Sequence, residues 1–199
     1  MKIKKHILII AGDISGDVHA SHLIKALKTL APDVIIDVIG GLRMKAVGDN
    51  YLYDLISKGS AGFDAIFKKF PTWLNLYKLV KNYLKNTKPV AVITVDFYGF
   101  NHQVLKLAYK ENIPSYYYVC PQVWASRKYR AKEIVRLTKR QFVIFPFEAQ
   151  IYKDYGGNPS FFGNPILFKI FVTGITSLPS HTFYNCNKLS EITIPANIN

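Results

Sequence analysis

Four short apolar runs in this chain each stop abruptly at a small or polar residue. They are His6–Ala11 before Gly12, Val34–Ile39 before Gly40-Gly41, Val90–Val95 before Asp96, and Ser115–Val119 before Cys120-Pro121. Segments of helical period separate them. Apolar runs that do not alternate with polar residues suit strands buried on both sides, as in a parallel sheet. Strands alternating with helices then predict an α/β fold, a parallel sheet with helices on both faces. Ligands in such folds gather at the carboxyl ends of the strands. The turns at Gly12–Asp17, Gly40–Gly41, Asp96–Asn101 and Cys120–Trp124 all lie at those ends. They are expected to converge on one cleft.

The spacing predicts a helix over about Val18–Lys28, with Leu23, Ile24 and Leu27 on one face, and a short one near Arg43–Val47 that stops at Gly48. Phe63–Phe70 reads as a short amphipathic helix broken at Pro71. Thr72 can cap the next helix, in which Trp73, Leu76, Tyr77, Val80, Tyr83 and Leu84 recur at helical spacing. Further helices are expected at Asn101–Glu111, Ser126–Leu137 and Phe147–Tyr155, and strands at Gln141–Phe145 and Ser160–Phe162. After Gly163-Asn164-Pro165 the pattern changes. Residues 166–199 resemble one unit of the leucine-rich repeats of some bacterial surface proteins. A single unit cannot bury its own apolar face, and about three are normally needed. The expected organisation is therefore a domain over 1–165 and a foreign or truncated tail over 166–199, loosely packed or poorly ordered.

The formal net charge is +13, with a pI near 9.6. That predicts an anionic partner: nucleic acid, a membrane surface or a phosphorylated substrate. Two cysteines, Cys120 and Cys186, lie far apart without metal-type spacing. A disulfide framework is disfavoured, and a reducing cytosol is the expected setting. The basic lead and short apolar run at the start fit a first buried strand better than a secretory signal. No apolar stretch reaches the length of a membrane span.

The turn Ala11-Gly12-Asp13-Ile14-Ser15-Gly16-Asp17 joins a strand to a helix and carries two glycines. Such a turn can offer backbone N–H groups and a helix N-terminus to an anion or sugar. It can equally be an ordinary tight turn with Asp17 or Ser15 as the cap. It is not G-x-G-x-x-G, and the second strand ends in glycine rather than an acidic ribose binder, so a nicotinamide cofactor is disfavoured. G-x-S-x-G is absent, which leaves a nucleophile-elbow hydrolase without support. Asp96 directly follows the run VAVITV. A half-buried carboxylate there can acquire the raised pKa of a general base, or can simply bond nearby backbone. The five histidines form no ligand pattern and no Asp-x-Asp occurs. No metal and no cofactor are expected.

Two basic regions stand out. No acidic residue falls between Asp64 and Asp96, while lysines 68, 69, 78, 81, 85 and 88 alternate with aromatic and aliphatic residues. This fits a helix pair lying on an anionic membrane, or a core-facing helix with a solvated lysine face. The second region follows the exposed-loop candidates Gln122 and Trp124. It carries Arg127, Lys128, Arg130, Lys132, Arg136, Lys139 and Arg140 against one acid, Glu133. No helix-turn-helix, RNP or zinc pattern accompanies it, so nucleic acid is not the expected partner.

The segments AGDISGDVHASHLIKAL, GGLRMKAVG, KPVAVITVDFYGFN, IPSYYYVCPQVWASRKYRAKEI, FPFEAQIY and FFGNP together resemble the lipid-A-disaccharide synthases, over about residues 1–165. The resemblance implies a GT-B glycosyltransferase whose Rossmann-like N-terminal half binds the lipid acceptor and meets the membrane. The C-terminal half grips the UDP-sugar donor. The implied reaction is inverting: 2,3-diacylglucosamine passes from its UDP derivative to 2,3-diacylglucosamine 1-phosphate. By resemblance Asp96 matches the candidate general base for the acceptor 6-hydroxyl. Gly12, Asp13, Ser15, Gly16, Asp17, Asn101, Gln122, Trp124 and Arg127 match substrate-binding positions. The implied location is cytoplasmic, peripheral to the inner face of the inner membrane.

There are departures. Asp13 stands where the family usually has Glu, Cys120 replaces a usual Ser, and Ser126 a usual Trp. Asn164 and Pro165 match the family's entry to the interdomain linker. The family then continues through a donor-binding half that these residues do not contain. A GT-B site is assembled between two halves, so little or no turnover is expected of this polypeptide alone.

Overall fold

The structure is a computed structural model and describes residues 4–59, 70–124, 129–161 and 163. Two compact units divide the chain, Met1–Phe162 and Gly163–Asn199, and the elements below belong to the first. In order they are β1 (His6–Ala11), α1 (Ile14–Leu30), β2 (Ile35–Gly40), α2 (Leu42–Lys45), β3 (Asn50–Asp54), α3 (Leu55–Gly59) and α4 (Phe70–Thr87). There follow β4 (Ala91–Val95), α5 (Tyr98–Lys110), β5 (Ser115–Tyr118), α6 (Tyr129–Leu137), β6 (Arg140–Val143), α7 (Pro146–Lys153) and β7 (Pro159–Phe161). The strands form one sheet in the order β3-β2-β1-β4-β5-β6-β7, and every neighbouring pair is parallel.

Side chains that alternate along β1 divide between two cores. Leu8 and Ile10 pack with Leu76, Val80 and Leu84 of α4 and with Phe100, Val104 and Leu107 of α5. Ile9 and Ala11 pack with Ala20 and Ile24 of α1 and Met44 of α2. Helices therefore cover both faces, as the unbroken apolar runs require. A third cluster surrounds Tyr117 of β5, with Leu105 of α5, Ala131 and Ile134 of α6 and Tyr152 of α7. Each fully buried leucine or isoleucine adds about 1.5–3 kcal/mol relative to exposure, which is what fixes the strand ends against one another.

Some boundaries differ from expectation for identifiable reasons. The strand β3 was not legible: its sequence NYLYD is half-exposed throughout and sits at the sheet edge, so it lacks a continuous apolar run. Pro71 does not break a helix; α4 begins one residue before it. Proline is tolerated in a first helical turn because its missing N–H has no partner there. Thr72 accordingly falls inside α4 rather than capping it. The helix α1 starts at Ile14, four residues before the expected Val18, because Asp13 caps it. The expected helix at 63–69 and the repeat-like tail at 166–199 lie outside the described residues. Among the described residues no helix is long and apolar enough to cross a membrane, and no group of His, Cys, Asp and Glu could hold a metal ion.

Candidate functional site

The sheet order reverses direction between β1 and β4. These two strands are neighbours, yet the chain leaves one toward β2 and the other toward β5. The loops diverge at such a switch point and leave a crevice at the carboxyl ends. Asp13 and Ser15 follow β1, and Asp96 follows β4, so the crevice opens between them.

Asp13 adopts an extended backbone and its carboxylate accepts the N–H of Gly16 at 2.7 Å, capping α1. The cap is therefore neither Asp17 nor Ser15. It also means that Gly16 commits its N–H to a side chain instead of a bound anion. A side-chain carbon on Gly16 would lie 3.3 Å from the Val95 carbonyl oxygen, so the glycine lets α1 approach β4. Ser15 is exposed, and its Oγ lies 2.8 Å from Asp96 Oδ2 and 3.1 Å from Asp13 Oδ1. One hydroxyl proton is thus shared by two carboxylates.

Asp96 and Phe97 both have positive φ, at 51° and 22°. Each such non-glycine residue costs on the order of 1–3 kcal/mol and persists only where its surroundings over-determine it. The surroundings here are specific. The Asp96 carbonyl accepts the Tyr117 hydroxyl at 2.8 Å and the Asn101 Nδ2 at 3.1 Å, and Asn101 also donates to the Val95 carbonyl at 3.0 Å. Phe97 N–H returns to Asp96 Oδ1 at 2.9 Å. The result holds a half-buried carboxylate upright at the crest of the sheet. Burial, followed by the nearby Asp13 charge, pushes the Asp96 carboxyl above its ordinary value; the Ser15 hydroxyl and Phe97 N–H oppose that rise. His19 is buried one helical turn beyond Ser15, and its imidazole is pushed below its ordinary value by burial, against the pull of Asp96. An elevated carboxylate beside a hydroxyl can take a proton from an alcohol at neutral pH.

Not every expected site residue faces the crevice. Asp17 is buried, and its carboxylate accepts the N–H groups of Gly41 at 2.9 Å, Arg43 at 3.0 Å and Met44 at 3.1 Å. It ties α1 to the start of α2. Asn101 is fully buried and acts on Asp96 from behind. Gly12 lies against Phe97: a side-chain carbon built there would meet that ring at 2.1 Å. Gln122 and Trp124 are exposed, as expected, in the loop after β5, the strand beside β4. Trp124 nevertheless donates its indole N–H to buried Glu148 at 2.9 Å. Cys120 is buried, which pushes its thiol well up and leaves it unreactive. Arg127 lies outside the described residues.

Sequence reasoning missed Tyr117, His19, Glu148 and Tyr152. Tyr117 is concealed in a run of three tyrosines. Glu148 carried a usable signal: it stands three residues after Phe145, at a helix start, where a carboxylate reaches back to orphan N–H groups.

Seven parallel strands, helices on both faces and a polar cluster at the switch point define a Rossmann-like α/β domain, the N-terminal half of the GT-B glycosyltransferase architecture. The UDP-GlcNAc 2-epimerase of Neisseria meningitidis shares this fold. Its TM-score is 0.59 at 12% identity, covering 84% of this chain and 51% of that one. The chain belongs to the lipid-A-disaccharide synthetase family, whose model matches residues 7–177 and so runs past Pro165. It is 34% identical over 166 residues to the lipid-A-disaccharide synthase of Geobacter metallireducens, covering 83% of this chain and 43% of that protein. It is 36% identical over 165 residues to lipid-A-disaccharide synthase 1 of Legionella pneumophila, covering 82% and 43%. The chain thus spans less than half the length of these relatives.

Proposed function

We propose that these residues form the acceptor side of a lipid A biosynthesis glycosyltransferase. The reaction is inverting transfer of 2,3-diacylglucosamine from its UDP derivative to the 6-hydroxyl of 2,3-diacylglucosamine 1-phosphate. Asp96 acts as general base, Ser15 and Asp13 orient the acceptor hydroxyl, and Gln122 and Trp124 contact the sugar. Arg127, in the basic stretch that follows, meets the anomeric phosphate. The observation that carries this reading is the contact between Ser15 Oγ and Asp96 Oδ2, at 2.8 Å, across the switch point. An acceptor hydroxyl replacing Ser15 at that carboxylate would be in reach for deprotonation.

Acyl chains need an apolar wall beside this polar centre. Ile14, Leu42, Phe97, Trp124 and Phe147 are all exposed, and each lies in the loop or first helical turn that comes after the carboxyl end of a strand. Exposed apolar groups at one end of a strongly basic protein support contact with an anionic membrane, at its cytoplasmic face. The donor-binding part of the site is outside this reading, so the assay of transfer supplies a relative's C-terminal half.

The test is direct. The chain is titrated into mixed detergent micelles containing 2,3-diacylglucosamine 1-phosphate, and transfer is then assayed with a relative's C-terminal half and UDP-2,3-diacylglucosamine. Binding that survives Asp96→Asn, with transfer reduced at least about a hundredfold, supports the reading. No acceptor binding, or undiminished transfer by the variant, refutes it.

A further inference from the structure

The stretch 121–124 after β5, which presents Gln122, is held by one face of α7. Glu148 and Tyr152 stand four residues apart, one turn of that helix, and both are buried at 1% and 0% exposure. The Tyr152 hydroxyl donates to the Pro121 carbonyl at 3.3 Å, and Glu148 Oε1 accepts the Trp124 indole N–H at 2.9 Å. Between these two anchors the Val123 side chain is buried and Gln122 projects outward. Among the described residues no hydrogen bond holds the Gln122 side chain.

The second oxygen of Glu148 accepts the N–H groups of Ile144 and Phe145, each at 3.2 Å. Burying a carboxylate is costly unless donors surround it. Here two backbone donors suffice to cap α7, yet the third donor comes from a tryptophan that is 38% exposed. A tryptophan serving only the core would be buried. This one keeps a face in solvent, edge-on to Phe147 with ring centroids 5.3 Å apart.

We propose that Glu148 and Tyr152 are positioning residues, a clamp on α7 that holds the 121–124 loop in its acceptor-binding shape before the acceptor arrives. The idea rests on the acceptor-site reading above. Neither residue need touch the acceptor: both are buried, and they act through Pro121 and Trp124. A loop ordered in advance binds more tightly because less freedom is lost on binding.

The experiment has two readouts on the full chain. The first is affinity for 2,3-diacylglucosamine 1-phosphate in mixed micelles. The second is anisotropy and acrylamide quenching of Trp124 in a Trp73→Phe background, which needs no ligand. Tyr152→Phe removes only a buried hydroxyl and is expected to weaken binding about tenfold with an unchanged circular dichroism spectrum and a stability loss of only about 1 kcal/mol, too small to unfold the chain at the assay temperature. Trp124→Phe leaves the cap of α7 intact and cuts the tether. Combined with Glu148→Gln it is expected to bind no more weakly than the tryptophan variant alone. Glu148→Gln in the single-tryptophan background is expected to lower Trp124 anisotropy and raise its quenching. If Trp124 mobility does not change in Glu148→Gln, or if Tyr152→Phe binds like the parent, the clamp is refuted. If the parent chain binds no acceptor, the acceptor-site reading fails, and the Trp124 mobility still decides whether the clamp exists.

Discussion

Two carboxylates, one within β2 and one at the end of β4 with β1 between them, are treated in opposite ways. Asp37, in the middle of β2, is buried and saturated: His6 Nδ1 and Asn50 Nδ2 each lie 2.6 Å from it, and the Tyr83 hydroxyl donates to it as well. The cluster joins β1, β2, β3 and α4. Burial and the Asp37 contact push the Tyr83 phenol well above its ordinary pKa, so it remains a donor throughout the working pH range. Asp96, at the crest of β4, is half-exposed, sits on a left-handed backbone, shares one serine hydroxyl with Asp13, and is pushed up in pKa. The first group holds elements together. The second accepts the Ser15 hydroxyl and the adjacent Phe97 N–H but rests on a left-handed backbone and stays half-exposed, a pattern typical of sites where stability is given up for chemistry.

Removing the saturated carboxylate should do the most damage. Asp37→Ala leaves three donors without their acceptor and is expected to lower unfolding free energy by about 3–5 kcal/mol. Urea denaturation measures it; a loss under about 1 kcal/mol would erase the distinction between the two regions. Asp17→Ala strips three backbone N–H groups at the start of α2 and should cost about 2 kcal/mol in the same assay. A neutral result there would mean that water serves these groups as well as Asp17 does.

Tyr117→Phe sharpens the contrast from beneath the crest. It removes the hydroxyl that donates to the Asp96 carbonyl at 2.8 Å and also meets the Asn101 side chain. A loss of about 1 kcal/mol in stability is expected, with acceptor binding weakened several-fold while the core stays intact. Acceptor binding equal to the parent's would show that the left-handed backbone at Asp96 does not depend on Tyr117.

Asp96→Asn should have the smallest effect on stability, and of opposite sign. The folded-state pKa of Asp96 is raised above its ordinary 3.8. The protonated group therefore favours the folded state below 3.8, and that contribution is lost as pH rises through the raised value. At pH 7 the charged carboxylate is a burden, so the asparagine variant is expected to be more stable by up to about 1 kcal/mol after allowing for solvent screening. The advantage should vanish near pH 3. Denaturation curves at the two pH values check it, and destabilisation at pH 7 would place Asp96 with Asp37 as a structural group.

The difference between the regions also marks what a sequence can reveal. Runs such as VAVITV show burial and strand ends, so the position of Asp96 at the crest was readable, and the motifs that carry the family resemblance were readable too. The edge strand β3 was not, because an exposed strand needs no apolar run. Side-chain partnerships were illegible for another reason. Nothing in the spacing of Asp17, Gly41 and Met44 reveals that one carboxylate reaches three amides across 24 to 27 residues. Asp13 as cap of α1 could have been found, since its carboxylate stands three residues before the Gly16 N–H it accepts. The pairing of Ser15 with Asp96 spans 81 residues and follows only from the order of the strands.

The most decisive measurement is a carbon-detected NMR titration of the Asp96 side-chain carboxyl, run with and without 2,3-diacylglucosamine 1-phosphate in micelles. A base poised at the acceptor site should titrate above 3.8 in the free chain, and its resonance should shift when the acceptor binds. A carboxyl that titrates at or below its ordinary value, and does not respond to bound acceptor, would show that Asp96 is only a turn residue and that the crevice between β1 and β4 is not where the sugar sits.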